Sequence, residues 1–315
     1  MRKPSCISAP SILMIAYTYY ETDPRVIRAA EAARDGQFQV DVLALRRIGQ
    51  APSETIRGVR VFRIQGRYRG ASLLRYGWEY GKFLVRCAVR SARLFWTRRY
   101  RLVHVHNMPD ALVLAACIPK LCGAKVILDI HDPMPETYDS KFRGFARGPI
   151  HKVLLVQEKM SVAFADRTIT VSDPVRDGIL LKRRYRPETI GVIANFADGE
   201  LFKPITYPPF DGVIRFVFHG TILERYGLRT LVEAVSRVSR RARIRIRIIG
   251  EGDFSSTLSE LIMKYGVGDS VEFVNQAYPL HEIPKMLSDC HVGLVPLDIG
   301  TSTVANFALP IKLVE

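Results

Sequence analysis

The chain has 315 residues, 48% of them hydrophobic and 10% aromatic, which is enough for two α/β domains with buried cores. A formal net charge of +15 calls for an acidic partner, while the longest apolar run, Ala111 to Ile118, is far short of the roughly 18 residues a membrane-spanning helix needs. Five scattered cysteines without a CxxC pair exclude a disulfide framework and a thiolate zinc site, and fit a reduced, cytoplasmic setting.

At the N-terminus, Arg2 and Lys3 precede a short apolar stretch that runs into Glu21 and Asp23 without a small-residue cleavage site. It reads as a first β-strand, Ile12 to Thr18, and not as a signal peptide. Pro24 then opens a helix that Gly36 closes. Strands follow at Val40 to Leu45 and Val59 to Ile64.

From Arg67 to Arg101 ten basic residues face a single acid, Glu79, and are interleaved with Leu73, Tyr76, Trp78, Phe83, Val85, Phe95 and Trp96. This is the pattern of a long helix with one apolar and one cationic face. Such a helix suits an anionic membrane surface, and equally suits packing on its own domain. No nucleic-acid-binding motif accompanies the charge, so a nucleic-acid partner is not expected.

Leu102 to His106 is the next strand, then a helix over Ala111 to Leu121 and a strand from Lys125 to His131. An irregular acidic loop leads to a helix near His151 to Ala165, the strand Arg167 to Ser172 and a helix from about Asp173. The segment Thr189 to Asp198 closes the first domain. Lys203 to Asp211, with Pro204, Pro208 and Pro209, is the linker, which sets domains at 1–203 and 204–315.

The second half repeats the alternation. Strands are expected at Val213 to Gly220, Ile244 to Gly250, Val271 to Asn275 and His291 to Leu297, with helices between them and a last helix opening at PIKLVE. Alternating strands and helices of this kind predict the α/β class, with doubly wound parallel sheets in both domains.

Three constellations carry possible chemistry. In HGTILERYG, Gly220, Thr221 and Arg225 sit where a strand-to-helix turn offers N–H groups, a hydroxyl and a guanidinium to a phosphate; the same residues also fit an ordinary turn. In IIGEGD, Glu251 and Gly252 stand at the carboxyl end of the next strand. In DIHDPMPETY, His131 leaves its strand among Asp129, Asp132, Glu136 and Asp139, which suits hydroxyl recognition or acid and base work as well as a structural histidine. His104 and His106 share one strand face, but no third ligand lies nearby in sequence, so no metal is assigned.

These motifs, in order, resemble glycosyltransferase family 4, retaining enzymes built from two Rossmann-like domains in the GT-B fold. The resemblance rests on DPRVIRAAEAARDGQFQVDVLAL, LVHVHNMPDAL, VILDIHDPMPE, ADRTITVSDPVRDGI, IANFADGELF, FHGTILERYGLRTLVEA, IIGEGD and ALPIKLVE, and covers nearly the whole chain. It implies transfer of a sugar from a nucleotide-diphosphate donor to an acceptor hydroxyl, with no cofactor beyond that donor and no metal. By resemblance His131, with Asp132 and Glu136, stands at the catalytic centre; Gly220, Thr221 and Arg225 meet the diphosphate; Glu251 and Gly252 lie near the nucleotide. Ala308, Leu309, Pro310 and Lys312 face the donor, and Glu315 matches the second glutamate of the family's Glu-x7-Glu motif.

The family's usual Arg and Lys at the diphosphate loop fall at Thr221 and Tyr226, which shifts that charge to Arg225 and Lys312; the first glutamate falls at Phe307. The chain stops at Glu315 inside the motif, so the second domain is expected to be incomplete by roughly 60 to 90 residues and transfer impaired. The expected acceptor is a lipid-linked or polysaccharide hydroxyl at the inner face of the plasma membrane, reached through the basic helix of 67–101. Two rival functions remain at this stage, a non-catalytic membrane-bound scaffold and a nucleotide-sugar epimerase of the same fold.

Overall fold

A computed structural model describes residues 9–66, 73–141, 148–203, 206, 208–297 and 310–313. Two compact units divide the chain, residues 1–194 and 195–315. Each has its own sheet.

In the first unit the strands are β1 (Ser11–Ala16), β2 (Gln39–Leu45), β3 (Ser53–Ile56), β4 (Val59–Gln65), β5 (Leu102–His106), β6 (Lys125–Ile130), β7 (Arg167–Thr170) and β8 (Ile190–Val192). They form one sheet in the order β3-β4-β2-β1-β5-β6-β7-β8, parallel throughout except for the antiparallel pair β3 and β4. Strand order reverses between β1 and β5. That reversal opens a crevice beyond the strands' carboxyl ends, the place where such sheets bind ligands. β1 is buried at every position, as a strand covered by helices on both faces must be.

The helices are α1 (Pro24–Asp35), α2 (Leu73–Arg98), α3 (Cys117–Leu121), α4 (Met134–Lys141), α5 (Pro149–Phe164) and α6 (Asp173–Val175). Asp23 caps α1 by accepting from the Arg25 N–H at 3.2 Å, and Pro24 supplies the favoured first residue. Val26 and Ala30 on α1 close over Met14, Val42 and Val61 of the sheet. On α2 the buried line is Phe83, Cys87, Ser91 and Phe95, spaced by four residues, and it packs on a 3-10 turn at Asp110–Ala116 and on α3.

Several elements differ from the sequence expectation. β3 has no apolar periodicity to announce it; it is an edge strand held by the β4 ladder and by Glu54 pairing with the buried Arg63. The acidic segment after His131 is the helix α4, not a loop; Arg183 pairs with Glu136, and His151 Nδ1 hydrogen-bonds Asp139 Oδ1 at 3.0 Å. The stretch 110–121 winds first as a 3-10 turn and only then as α3.

The second unit holds β9 (Ile214–His219), β10 (Ile244–Ile249), β11 (Val271–Val274) and β12 (Val292–Gly293), with α7 (Leu228–Val238), α8 (Ser255–Lys264) and α9 (Ile283–Leu287). All pairs are parallel, in the order β11-β10-β9-β12, so the switch point lies between β9 and β12. Its core is Phe218, Val232, Val235, Ile246, Ile248, Leu258 and Leu261. β12 is shorter than the expected His291 to Leu297: Leu294 still donates to Val217 O, but Pro296 has no N–H to continue the ladder and Leu297 bonds back to Val295.

Candidate functional site

At the switch point of the first unit, parallel register sets His106 beside Asp129 and His104 beside Ile127. Period two puts His104 and His106 on one face of β5. The Asp129 Oδ2 then lies 3.1 Å from His104 Nε2, 3.2 Å from His106 Nδ1 and 3.3 Å from His131 Nε2. His106 Nδ1 and His131 Nε2 also face each other at 3.1 Å. All four residues are buried.

The electrostatics of this cluster follow from its surroundings. Burial raises the Asp129 carboxyl, but His131, His104 and His106 outweigh it and hold the group well below the usual carboxylate range. Burial lowers His131 to about 3, opposed by Asp129 and assisted by Arg25, so its imidazole is neutral at physiological pH. His106 is lowered as well, first by burial and then by His104.

Asn107 fixes the backbone at the end of β6. Its Oδ1 accepts from the His131 N–H at 2.9 Å, and its Nδ2 donates to Asp132 O at 2.7 Å and to Asp110 Oδ1 at 3.0 Å. Asp132 itself is half exposed, with Arg25 Nη1 at 3.9 Å. Arg25 in turn holds Asp23. Asn107, Asp23 and Arg25 were not singled out from sequence; nothing but the Asn-x-x-Asp spacing and the cap at Pro24 could have pointed to them.

Of the three expected catalytic residues, His131 and Asp132 share this crevice. Glu136 sits one turn into α4 and is engaged by Arg183, which also binds the buried Glu158 of α5. No hydrogen bond or ion pair joins Glu136 to His131 among the described residues.

His104, His106 and Asp129 bring potential ligand atoms within 4.8 Å of one another, so the set is compact enough for a metal ion. Yet His106 Nε2 is buried without a hydrogen-bond partner. Metal-bound histidines nearly always donate their second ring N–H to an outer partner. The contacts are those of a hydrogen-bonded cluster.

In the second unit, the turns after β9 and β10 interlock. Gly220 N donates to Ile249 O at 2.9 Å and Ile222 N to Glu251 O at 3.1 Å. A side chain on Gly250, whose φ is +143°, would place its Cβ 1.9 Å from Gly220 O; one on Gly252 would meet Ile222 O at 2.2 Å. These glycines are required by turn-on-turn packing.

Lys312 reaches the first turn. Its Nζ lies 4.0 Å from the Phe218 ring centre and 4.9 Å from that of Tyr226, and a Cβ built on Gly220 would be 2.9 Å from it. Burial, then the charge of Lys312, pushes His219 down to about 4. Thr221 is exposed, and the Arg225 guanidinium leans on Tyr226 at 5.4 Å. Glu251 is exposed at the second turn and Pro310 precedes the 3-10 turn Ile311–Leu313 that carries Lys312. Thus Gly220, Arg225, Tyr226 and Lys312 converge, while Leu309 and Glu315 lie outside the described residues.

Two α/β units, each with polar groups gathered where the strand order reverses, have the architecture of the GT-B fold. The chain belongs to glycosyltransferase family 4. Its residues 25–201 match the model "Glycosyltransferase Family 4", and residues 207–312 match "Glycosyl transferases group 1".

Among curated proteins it is similar to a subunit of the phosphatidylinositol N-acetylglucosaminyltransferase of Arabidopsis thaliana, 29% identical over 196 residues, or 61% of this chain and 41% of that one. The chain therefore spans about two fifths of that relative's length. Among solved structures, the fold is similar to WaaG, a glycosyltransferase involved in lipopolysaccharide biosynthesis, with a TM-score of 0.63 at 12% identity over 91% of this chain and 75% of that one. It is also similar to Anabaena Alr3699/HepE in complex with UDP and glucose, with a TM-score of 0.61 at 14% identity over 90% and 73% of the two chains.

Proposed function

We propose that the protein is a retaining glycosyltransferase that moves a sugar from a nucleotide-diphosphate donor to an acceptor hydroxyl in the synthesis of a cell-surface polysaccharide or glycolipid. The observation that carries this reading is Lys312, a cation held on two aromatic faces against the Gly220 turn. A leaving diphosphate gains negative charge as the glycosidic bond breaks, and a fixed cation beside a strand-to-helix turn meets that charge without reorganising. Arg225 supplies a second cation, a guanidinium, on the same turn. The donor is a substrate; no dissociable cofactor is called for.

The His131 imidazole, neutral and buried, suits a hydrogen bond to a sugar hydroxyl better than proton transfer, since it stays uncharged through physiological pH. Asp132, at the same strand end and half exposed beside Arg25, is the carboxylate offered to an acceptor hydroxyl. A lipid-linked acceptor is favoured by the relative named for phosphatidylinositol and by α2. No described helix is long and apolar enough to cross a membrane. Instead α2 presents outward a line of Trp78, Val85, Val89 and Trp96, flanked by Arg86 and Arg93, opposite its buried line. An interfacial helix on an anionic leaflet has this composition.

Calorimetric titration with UDP and with GDP tests the donor site. Binding of either by the wild-type chain, weakened at least about tenfold in Lys312→Ala, is expected, since a hydrogen bond to a charged group is worth about 1.5–3 kcal/mol. No binding, with retention on anionic vesicles, would instead favour a scaffold; donor conversion without any acceptor would favour an epimerase.

A further inference from the structure

Asp129 is the best-connected carboxylate of the crevice, and ionised it is an acceptor only. His104 Nε2 donates to it at 3.1 Å. Where His106 Nδ1 and His131 Nε2 meet at 3.1 Å, one nitrogen carries the proton and the other offers its lone pair.

The second ring nitrogens decide which. The Asp129 Oδ2 is almost equidistant from the two facing nitrogens, 3.2 Å from His106 Nδ1 and 3.3 Å from His131 Nε2. Each ring has a second nitrogen that is buried and without a partner, His106 Nε2 and His131 Nδ1. If His106 held its proton on Nε2, an unpaired donor would be locked in the more deeply buried ring, which keeps 2% of its surface against 8% for His131. With the proton on His106 Nδ1, the one unpaired donor is His131 Nδ1–H, in the less deeply buried ring, one residue past the end of β6.

We propose that Asp129, acting through His106, is a positioning residue that fixes His131 as the neutral tautomer protonated on Nδ1, so that this N–H is presented to a hydroxyl of the sugar substrate. The role rests on the functional reading above for the identity of the ligand. It makes the Asp129 carboxylate an orienting group two rings removed from the substrate, and gives the pairing of His106 with Asp129 across β5 and β6 a purpose beyond packing. Asn107 completes the arrangement by holding the His131 backbone.

Nitrogen-15 correlation spectra of the histidine-labelled, full 315-residue chain read the tautomer directly. The expected result is an Nδ1–H pattern for His131 and for His106 and an Nε2–H pattern for His104, with that of His131 unchanged between about pH 6 and 8. An Nε2–H pattern at His131, or an imidazolium there, overturns the proposal. In Asp129→Asn the His131 pattern is expected to average between tautomers; a fixed Nδ1–H in that variant also overturns it. Should the variant not fold, the wild-type spectrum still decides. Equimolar Zn²⁺ is expected to leave the patterns unchanged, and stoichiometric capture with loss of the ring protons would overturn the proposal in favour of a metal site. Calorimetry with UDP on the same sample separates the two readings: absent nucleotide binding with the expected tautomers sinks the transferase assignment alone.

Discussion

Gly250 shows how a residue that looks like part of a ligand loop is first a packing device. Its φ of +143° is open to glycine alone, and any Cβ would lie 1.9 Å from Gly220 O, a backbone atom that cannot step aside. Gly250→Ala is therefore expected to destabilise the unit 195–315 by about 2–5 kcal/mol, combining backbone strain with overpacking. Urea denaturation checks this; a loss under about 1 kcal/mol would mean the turns separate easily. The sequence made the glycines conspicuous in HGT and IIGEGD, but turn-on-turn contact between residues 30 apart is a tertiary fact that no local pattern encodes. For the same reason Asp129 was read merely as one acid among several near His131. Its contacts with three imidazoles depend on the register between β5 and β6.

At the scale of elements, the strands buried on both faces were the most legible, because continuous apolar runs such as Ile12–Ala16 and Val42–Leu45 have no other use in a chain of this class. What was illegible lacked that signal. β3 is polar and held from outside, and α4 is held by an ion pair with Arg183, 47 residues along the chain, and by a hydrogen bond with His151. The helix α2 was legible as amphipathic, but it carries two apolar lines, one of them turned outward.

Neighbouring elements repeat the outward pattern, with Leu114 in the 3-10 turn, Ile118 and Leu121 on α3, and Val153, Val156 and Met160 on α5, beside the exposed Lys152 and Lys159. Replacing both Trp78 and Trp96 by Ser is expected to lower retention on phosphatidylserine vesicles by at least about tenfold, given about 1.5–3 kcal/mol per large apolar side chain removed from water. Folding stability should change by less than about 1 kcal/mol, since both rings are exposed. Vesicle sedimentation checks the first expectation and urea titration the second. Unchanged retention would remove α2 from the membrane reading.

Across the whole molecule, both units carry neutral histidines whose folded pKa lies below the unfolded value, His131 at about 3 and His219 at about 4, with His106 lowered in the same sense. Burial is the first cause for each; Asp129 and Asp23 oppose it at His131, Arg25 and His106 reinforce it there, and Lys312 reinforces it at His219. The unfolded chain binds protons at these sites near pH 6.5 and the folded chain does not, so the stability they contribute is present above that value. It is lost as pH falls from about 6.5 toward the folded values, by about 1.4 kcal/mol per pH unit for each proton taken up.

Asp110 acts in the opposite direction. Burial raises it to about 7, partly offset by Asn107, so between about pH 4 and 7 the folded state holds a proton that the unfolded state has released. Its contribution is full below the unfolded value and is lost as pH rises through that window. Asp110→Asn removes this opposing term, and the rise of stability from pH 4.5 to 6.5 should become steeper by about 1.4 kcal/mol per pH unit. Urea denaturation of wild type and variant at half-unit pH intervals reads the slope. A parallel pair of curves would mean that Asp110 is ionised in the folded protein, and that Asn107 alone, without a protonated carboxyl beneath it, holds the backbone of His131.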